Sequence, residues 1–399
     1  MLERVVNFLA YLMSGLAPRR PGRVVCGAWM GRRYADNPRY LFEYLCREQP
    51  GLDVRWVGSS DQFAQIPEEF RNRFVRWGSL SALWSVLTAE RVYISHGYHD
   101  LAKYNLCRGA VVTYLGHGLT IKRMGSAPQP VHGLVGRARK VLGSANTFDA
   151  FAVSSREHAN KLLAEYSGNG IAPDRLVYLG QPRTDPLLAT DRDERGRMIR
   201  RTILERHGVP GDRRMVTYMP TFRDAGTAPF SFLRLDGEPA KAVEEVLARH
   251  DAVLIEKVHF VDGVQRATSK AGTNRRIIGL GSAASLDTQD LLLATDLLIT
   301  DYSGVYLDYL HLDRPVLHFA YDLEFYANAD RGMYYSLDKV AGGPVAENLD
   351  DLLRHLDMNL ANPARERERR KALREWFLDC DDGRSCERFA SELEKLSRA

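Results

Sequence analysis

The sequence predicts an α/β fold of two consecutive doubly wound domains, and three observations carry that prediction. At 399 residues the chain exceeds one ordinary hydrophobic core. Short, wholly apolar runs alternate along it with segments of helical period. These apolar runs end repeatedly in polar turns, as the strands of a parallel sheet do where their carboxyl ends carry a site.

The clearest unit lies between Leu291 and Phe319. A helical patch with Leu291, Leu292 and Leu293 leads into the strand Leu297-Leu298-Ile299, which breaks at Thr300-Asp301-Tyr302-Ser303-Gly304. A second helical pattern carries Val305, Leu307, Leu310 and Leu312, and Pro315 opens the strand Val316 to Phe319. Strand, turn, helix and strand make one βαβ unit, whose turn either caps the helix or offers its N–H groups to an anion.

In the first half, strands are expected from Arg23 into a turn at Trp29, and at Val54 to Val57, Arg91 to Ser95, Gly109 to Leu115, Phe148 to Val153 and Leu176 to Leu179. Helices are expected from about Asn37, around Leu80 to Thr88, and after the hydroxyl pair Ser154-Ser155. The charged stretch Asp191 to His207 reads as a helix linking two halves, with a boundary near residue 190. The second half restarts with strand Met215 to Met219, a helix from about Glu238 to His250, and strands Ala252 to Glu256 and Arg276 to Gly279. The tail from Leu352 to Leu396 is mainly helical, broken at Asp381 to Arg384. The domain plan is therefore 1–190, 191–365, and closing helices over 366–399 that pack back toward the first domain.

Composition narrows the function. Hydrophobic content of 45% with 27% charged residues is that of a globular protein, and a net charge of +4 gives no basis for nucleic-acid binding. Five cysteines without ligand spacing read as reduced thiols in a cytosolic protein, with no metal site. No run reaches the roughly 18 apolar residues of a membrane span. Between Met1 and Arg20, however, Leu2, Val5, Val6, Leu9, Leu12, Met13 and Leu16 follow helical spacing and precede Arg19 and Arg20. That helix either packs on its own domain or lies in an anionic membrane surface.

The strand ends collect His96-Gly97, Gly116-His117-Gly118, Thr221-Phe222-Arg223, Lys257-Val258-His259 and Thr300-Asp301-Tyr302-Ser303. Imidazoles, Arg, Lys and hydroxyl donors suit a phosphate-bearing substrate. His117 stands out because glycines on both sides let the backbone approach closely and leave the ring accessible. His96, His99, His311 and His318 read as structural. Patterns for nicotinamide, P-loop ATP and zinc-peptidase sites are absent.

With these residues assembled, the chain resembles the CDP-glycerol glycerophosphotransferases, the group of teichoic acid primases and polymerases. The resemblance is carried by GHGLTIKRMG from Gly116, GQPRTD from Gly180, MPTFRD from Met219, EKVHF from Glu256, the long block from Leu291 to Tyr326, and DGRSCER from Asp382. It implies a GT-B-like fold, two Rossmann-type domains facing an interdomain cleft, with no metal or other cofactor. It also implies CDP-glycerol as donor and CMP as product, with a lipid-linked, undecaprenyl-type acceptor at the inner face of the cytoplasmic membrane. His117 is similar to the family's proposed general base. Arg223, His259, Thr300 and Ser303 match positions that grip the pyrophosphate, with Lys257 and Asp301 flanking them. Gly118, Lys122 and Gly304 fall in the same substrate-binding motifs, and Asp308 supports the turn. The sequence departs from the family at Gly116, at Leu119-Thr120 and at Gly304, where members often carry Trp, Thr-Pro and a second Ser. Alternatives are a CDP-ribitol or UDP-sugar transferase on the same fold, and a catalytically silent scaffold module of a membrane polymer-assembly complex.

Overall fold

The computed structural model describes residues 2–119, 121, 148–165, 171–221, 230–257, 276–281, 286–323 and 333–397. Two compact units emerge: Met1–His117 with Ala127–Asp185 and Asp379–Ala399, and Gly118–Ser126 with Pro186–Leu378.

Among the described residues the first unit is built on seven parallel strands: β1 (Arg23–Gly27), β2 (Asp53–Gly58), β3 (Phe74–Arg76), β4 (Arg91–Ile94), β5 (Val111–Tyr114), β6 (Ala150–Ala152) and β7 (Leu176–Val177). Their order across the sheet is β3-β2-β1-β4-β5-β6-β7. Val24, Val25, Cys26, Val92 and Ile94 are buried, which is why the runs contain almost no polar residue: helices cover both faces. Helix Asp36–Glu48 buries Leu41, Phe42 and Leu45 against Trp56 and Tyr34. Helix Leu80–Leu87 is capped by Ser79, whose hydroxyl accepts the Ala82 amide at 3.1 Å.

The closing helix Ser385–Ser397 belongs to this unit. Asp185 caps it, accepting the amides of Ser385 and Cys386 at 2.9 and 2.8 Å, and Phe389 enters the core beside Tyr93. Helix Arg367–Phe377 belongs instead to the second unit, where Leu373 and Phe377 join the core and Arg370 bonds Asp313 at 3.1 Å.

Among the described residues the second unit holds six parallel strands: β8 (Arg214–Met219), β9 (Ala252–Lys257), β10 (Ile277–Leu280), β11 (Leu297–Thr300), β12 (Val316–Phe319) and β13 (Val345–Ala346), in the order β10-β9-β8-β11-β12-β13. Every residue of β11 and β12 is buried. In both sheets the chain winds outward in one direction, then returns to add strands on the other side of the first. The switch falls between β1 and β4 in one unit and between β8 and β11 in the other. Loops leaving adjacent strands diverge at such points, and open α/β sheets bind ligands there.

Candidate active site

In the first unit, the residues following β1, β4 and β5 meet at the switch point. β4 and β5 run parallel with Ile94 opposite Tyr114, so the chain leaves both strands at the same level. His96 and His117 then stack, with ring centroids 4.6 Å apart and an interplanar angle of 10°. The Trp29 ring lies 4.7 Å from His96 and 6.2 Å from His117. Gly116 and Gly118 hold φ of +64° and +109°, values that a side chain disfavours, and so present His117 on a turn few other residues allow.

The backbone around this stack is strained and heavily braced. Trp29, Met30 and Asp36 hold φ of 51°, 55° and 68°, each costing on the order of 1 kcal/mol. Buried Asp100 offsets the strain, accepting the amides of Met30, Ser95 and His96 at 2.6, 2.9 and 2.8 Å. The Arg183 guanidinium bonds the His117 carbonyl at 2.6 Å and the Asp36 carboxylate at 2.8 Å, while Asp36 also accepts the Trp29 indole N–H at 2.9 Å. Asn37 completes the clamp, donating to the carbonyls of Leu115 and Gly116 and accepting the Arg183 amide.

Desolvation pulls the His117 imidazole down to about 4; the neighbouring His96 and Arg183 push the same way and Asp36 opposes them. Burial thus favours the neutral imidazole at physiological pH.

In the second unit, buried Asp301 ties the two switch-point strands together. It accepts the Thr221 amide at 2.9 Å, the Thr221 hydroxyl at 2.6 Å and the Tyr302 amide at 2.6 Å. His318 sits behind the turn: its Nδ1 bonds the Asp301 carbonyl at 2.9 Å and its Nε2 accepts the Gly342 amide at 3.0 Å. Burial lowers this imidazole to about 4. At the end of β9, half-buried Lys257 donates to the Thr288 hydroxyl at 2.9 Å.

The residues expected from the sequence divide accordingly. Ser303 and Gly304 lie half-buried at the turn, and among the described residues the Ser303 oxygen makes one long 3.4 Å contact, to the Val305 amide. Thr300 does not fit the expected role of ligand donor: fully buried, it gives its hydroxyl hydrogen to the Met219 carbonyl at 2.8 Å and braces β11 to β8. Asp301 and Asp308 are also buried, and Asp308 accepts from Gln289 at 2.8 Å, joining the turn's helix to the preceding one. Gly118 belongs to the second unit by chain division. Lys122, Arg223 and His259 lie outside the described residues.

From the sequence alone His96 reads as structural, and Trp29, Asp36, Asn37, Asp100 and Arg183 have no part in the site. The only signals were that two histidines follow two consecutive strands and that Arg183 sits in the GQPRTD motif.

Two Rossmann-type sheets, each with polar residues at its switch point, make up the α/β architecture of the GT-B class. The chain belongs to the CDP-glycerol:poly(glycerophosphate) glycerophosphotransferase family, whose model matches residues 9–395. It is accordingly a phosphotransferase that draws on CDP-glycerol. The teichoic acid poly(glycerol phosphate) polymerase of Bacillus spizizenii strain W23 is 26% identical over 366 residues, covering 88% of this chain and 87% of the relative. The teichoic acid glycerol-phosphate transferase of Staphylococcus aureus strain NCTC 8325 is 26% identical over 415 residues, covering 99% of both. The solved structure of the wall teichoic acid polymerase TagF superposes with a TM-score of 0.74 at 20% identity over 99% of this chain and 93% of that one, a likeness of fold.

Proposed function

We propose that this enzyme transfers glycerol phosphate from CDP-glycerol to the hydroxyl of a lipid-linked glycan or polyol-phosphate acceptor in teichoic acid or capsule-type polymer synthesis, with His117 as general base. One observation carries the assignment of the base: an imidazole held neutral, braced through its own carbonyl, and presented on a glycine-flanked turn at the switch point of a Rossmann sheet.

In this reading His117 takes the proton from the acceptor hydroxyl as its oxygen attacks the glycerol-bound phosphorus. The bond from that phosphorus to the CMP oxygen breaks, and CMP leaves. Lys257 and Ser303, with Arg223, His259 and Lys122 of the same motifs, neutralise charge on the transferred phosphate and the leaving group. Asp301, Thr300 and Asp308 hold the turn that carries Ser303. The donor's negative charge raises the proton affinity of a nearby imidazole, so the base strengthens when substrate is bound.

The N-terminal helix supports an acceptor held at a membrane. Its buried residues are polar: Asn7 accepts the Asn105 amide at 2.7 Å, and the Ser14 hydroxyl accepts the Arg108 amide at 3.2 Å. Several of its apolar residues face outward, with Leu2 79%, Leu9 52% and Met13 69% exposed, as is Leu16 just beyond it at 86%. No helix among the described residues is long and apolar enough to cross a membrane. A short helix with polar anchors and an apolar outer face suits the inner leaflet's surface.

The test is a donor screen with CDP-glycerol, CDP-ribitol and UDP-sugars against a lipid-linked disaccharide, following CMP or UDP release. CMP from CDP-glycerol is the expected product. Absence of CMP with CDP-glycerol, or faster turnover of CDP-ribitol, overturns the donor assignment.

A further inference from the structure

We infer that His96 is a positioning residue for the transfer reaction, holding the His117 ring in place and facing it with an aromatic ring when it becomes imidazolium. This rests on the reading of His117 as the base.

The geometry around His96 is that of a part fixed in advance. Its ring lies parallel to His117 at 4.6 Å, and Trp29 closes on it at 4.7 Å. Its Nδ1 lies 2.8 Å from the Ser95 hydroxyl oxygen, which also accepts the Trp29 amide at 3.2 Å. Its own amide is held by Asp100 at 2.8 Å, so ring and backbone are fixed independently. A ring rigidly stacked on the base sets the base's rotamer, and transfer chemistry is steeply sensitive to such placement.

Electrostatics gives the stack a second consequence. Two imidazoles in contact do not both carry charge readily, so a proton on His96 opposes one on His117. A neutral His96, by contrast, offers its π face to the imidazolium formed during transfer. The other groups facing the pair are Asp100 after β4, Asp36 at the start of its helix, Arg183 after β7, His158 on helix Arg156–Glu165, and Arg33, whose guanidinium lies 5.4 Å from the Trp29 ring. Asp36 is committed to Arg183 and Asp100 to backbone amides, which leaves His96 as the imidazole stacked on His117.

The experiment compares His96→Ala, His96→Phe and His117→Ala with the wild-type full chain, measuring CMP release from CDP-glycerol against pH and donor binding by calorimetry. His96→Ala is expected to lower kcat 10- to 100-fold with donor binding unchanged, since the ring support is lost. His96→Phe keeps a flat ring and is expected to restore kcat to within about fivefold of wild type. It also removes the imidazole that lowers the His117 proton affinity, so the acid limb of kcat/KM moves to higher pH. The inference is overturned if both His96 variants match wild type in kcat and acid limb, or if His96→Phe is as impaired as His96→Ala with an unmoved limb. The two readings fail differently. Normal turnover by His117→Ala sinks the base assignment and this inference with it, whereas an inactive His117→Ala beside normal His96 variants sinks this inference alone.

Discussion

Asp301 accepts both the amide and the hydroxyl of Thr221, at 2.9 and 2.6 Å, joining the ends of β11 and β8 where the second sheet reverses direction. One carboxylate thereby sets the spacing of the two loops from which the proposed donor grip is built. Asp301→Asn keeps the shape but turns an N–H donor toward other donors. Urea melts should show a loss of about 1–3 kcal/mol, the usual cost of leaving buried polar groups unpaired. The KM for CDP-glycerol should rise at least tenfold. An unchanged melt contradicts the bracing role.

Thr300 and Ser303 should separate cleanly. Thr300→Val removes the brace to the Met219 carbonyl and should cost roughly 1–2 kcal/mol, with kcat and KM within about threefold of wild type. Ser303→Ala should leave the melt within about 0.5 kcal/mol and raise the KM for CDP-glycerol. Equal stability losses in both, with equal KM, contradict the division of roles.

The contrast between these two hydroxyls shows how far the sequence can be read. The alternation of apolar strands and helices was legible because a strand buried on both faces tolerates almost no polar residue, as β11 and β12 demonstrate. Family membership was legible from the strand-end motifs. The direction of a hydroxyl was not: Thr300 reads the same whether it points at a ligand or at a neighbouring carbonyl. His96 became part of the site only through the register that pairs β4 with β5. The clamp of Asp36 on Arg183 joins residues 147 positions apart, and no local pattern announces it.

Stability should fall on acidification. Burial holds His117 and His318 to about 4 and His158 to about 3, each below the ordinary 6.5 of the unfolded chain. Below pH ~6.5 the unfolded chain therefore binds more protons than the folded one, and stability declines until the folded values are passed. Thermal melts at pH 7.5, 6.5 and 5.5 should show this fall, and His318→Gln should make it shallower while lowering Tm at pH 7.5. A slope identical in variant and wild type contradicts the assignment.

The outward face of helix Leu2–Ser14 can be tested without disturbing the fold. The double change Leu9→Glu with Met13→Glu should abolish co-sedimentation with phosphatidylglycerol-rich vesicles and leave Tm unchanged, because both side chains are exposed. Asn7→Ala should instead lower stability by about 1 kcal/mol or more through loss of the bond to the Asn105 amide. Vesicle binding unaffected by the double change counts against membrane contact.

The most direct measurement of the central claim is CMP release by His117→Ala at saturating CDP-glycerol and acceptor, alongside its affinity for CDP-glycerol. Loss of general-base catalysis predicts a kcat reduced roughly 10²- to 10⁴-fold with donor affinity within about threefold of wild type. A kcat within twofold of wild type would contradict the account.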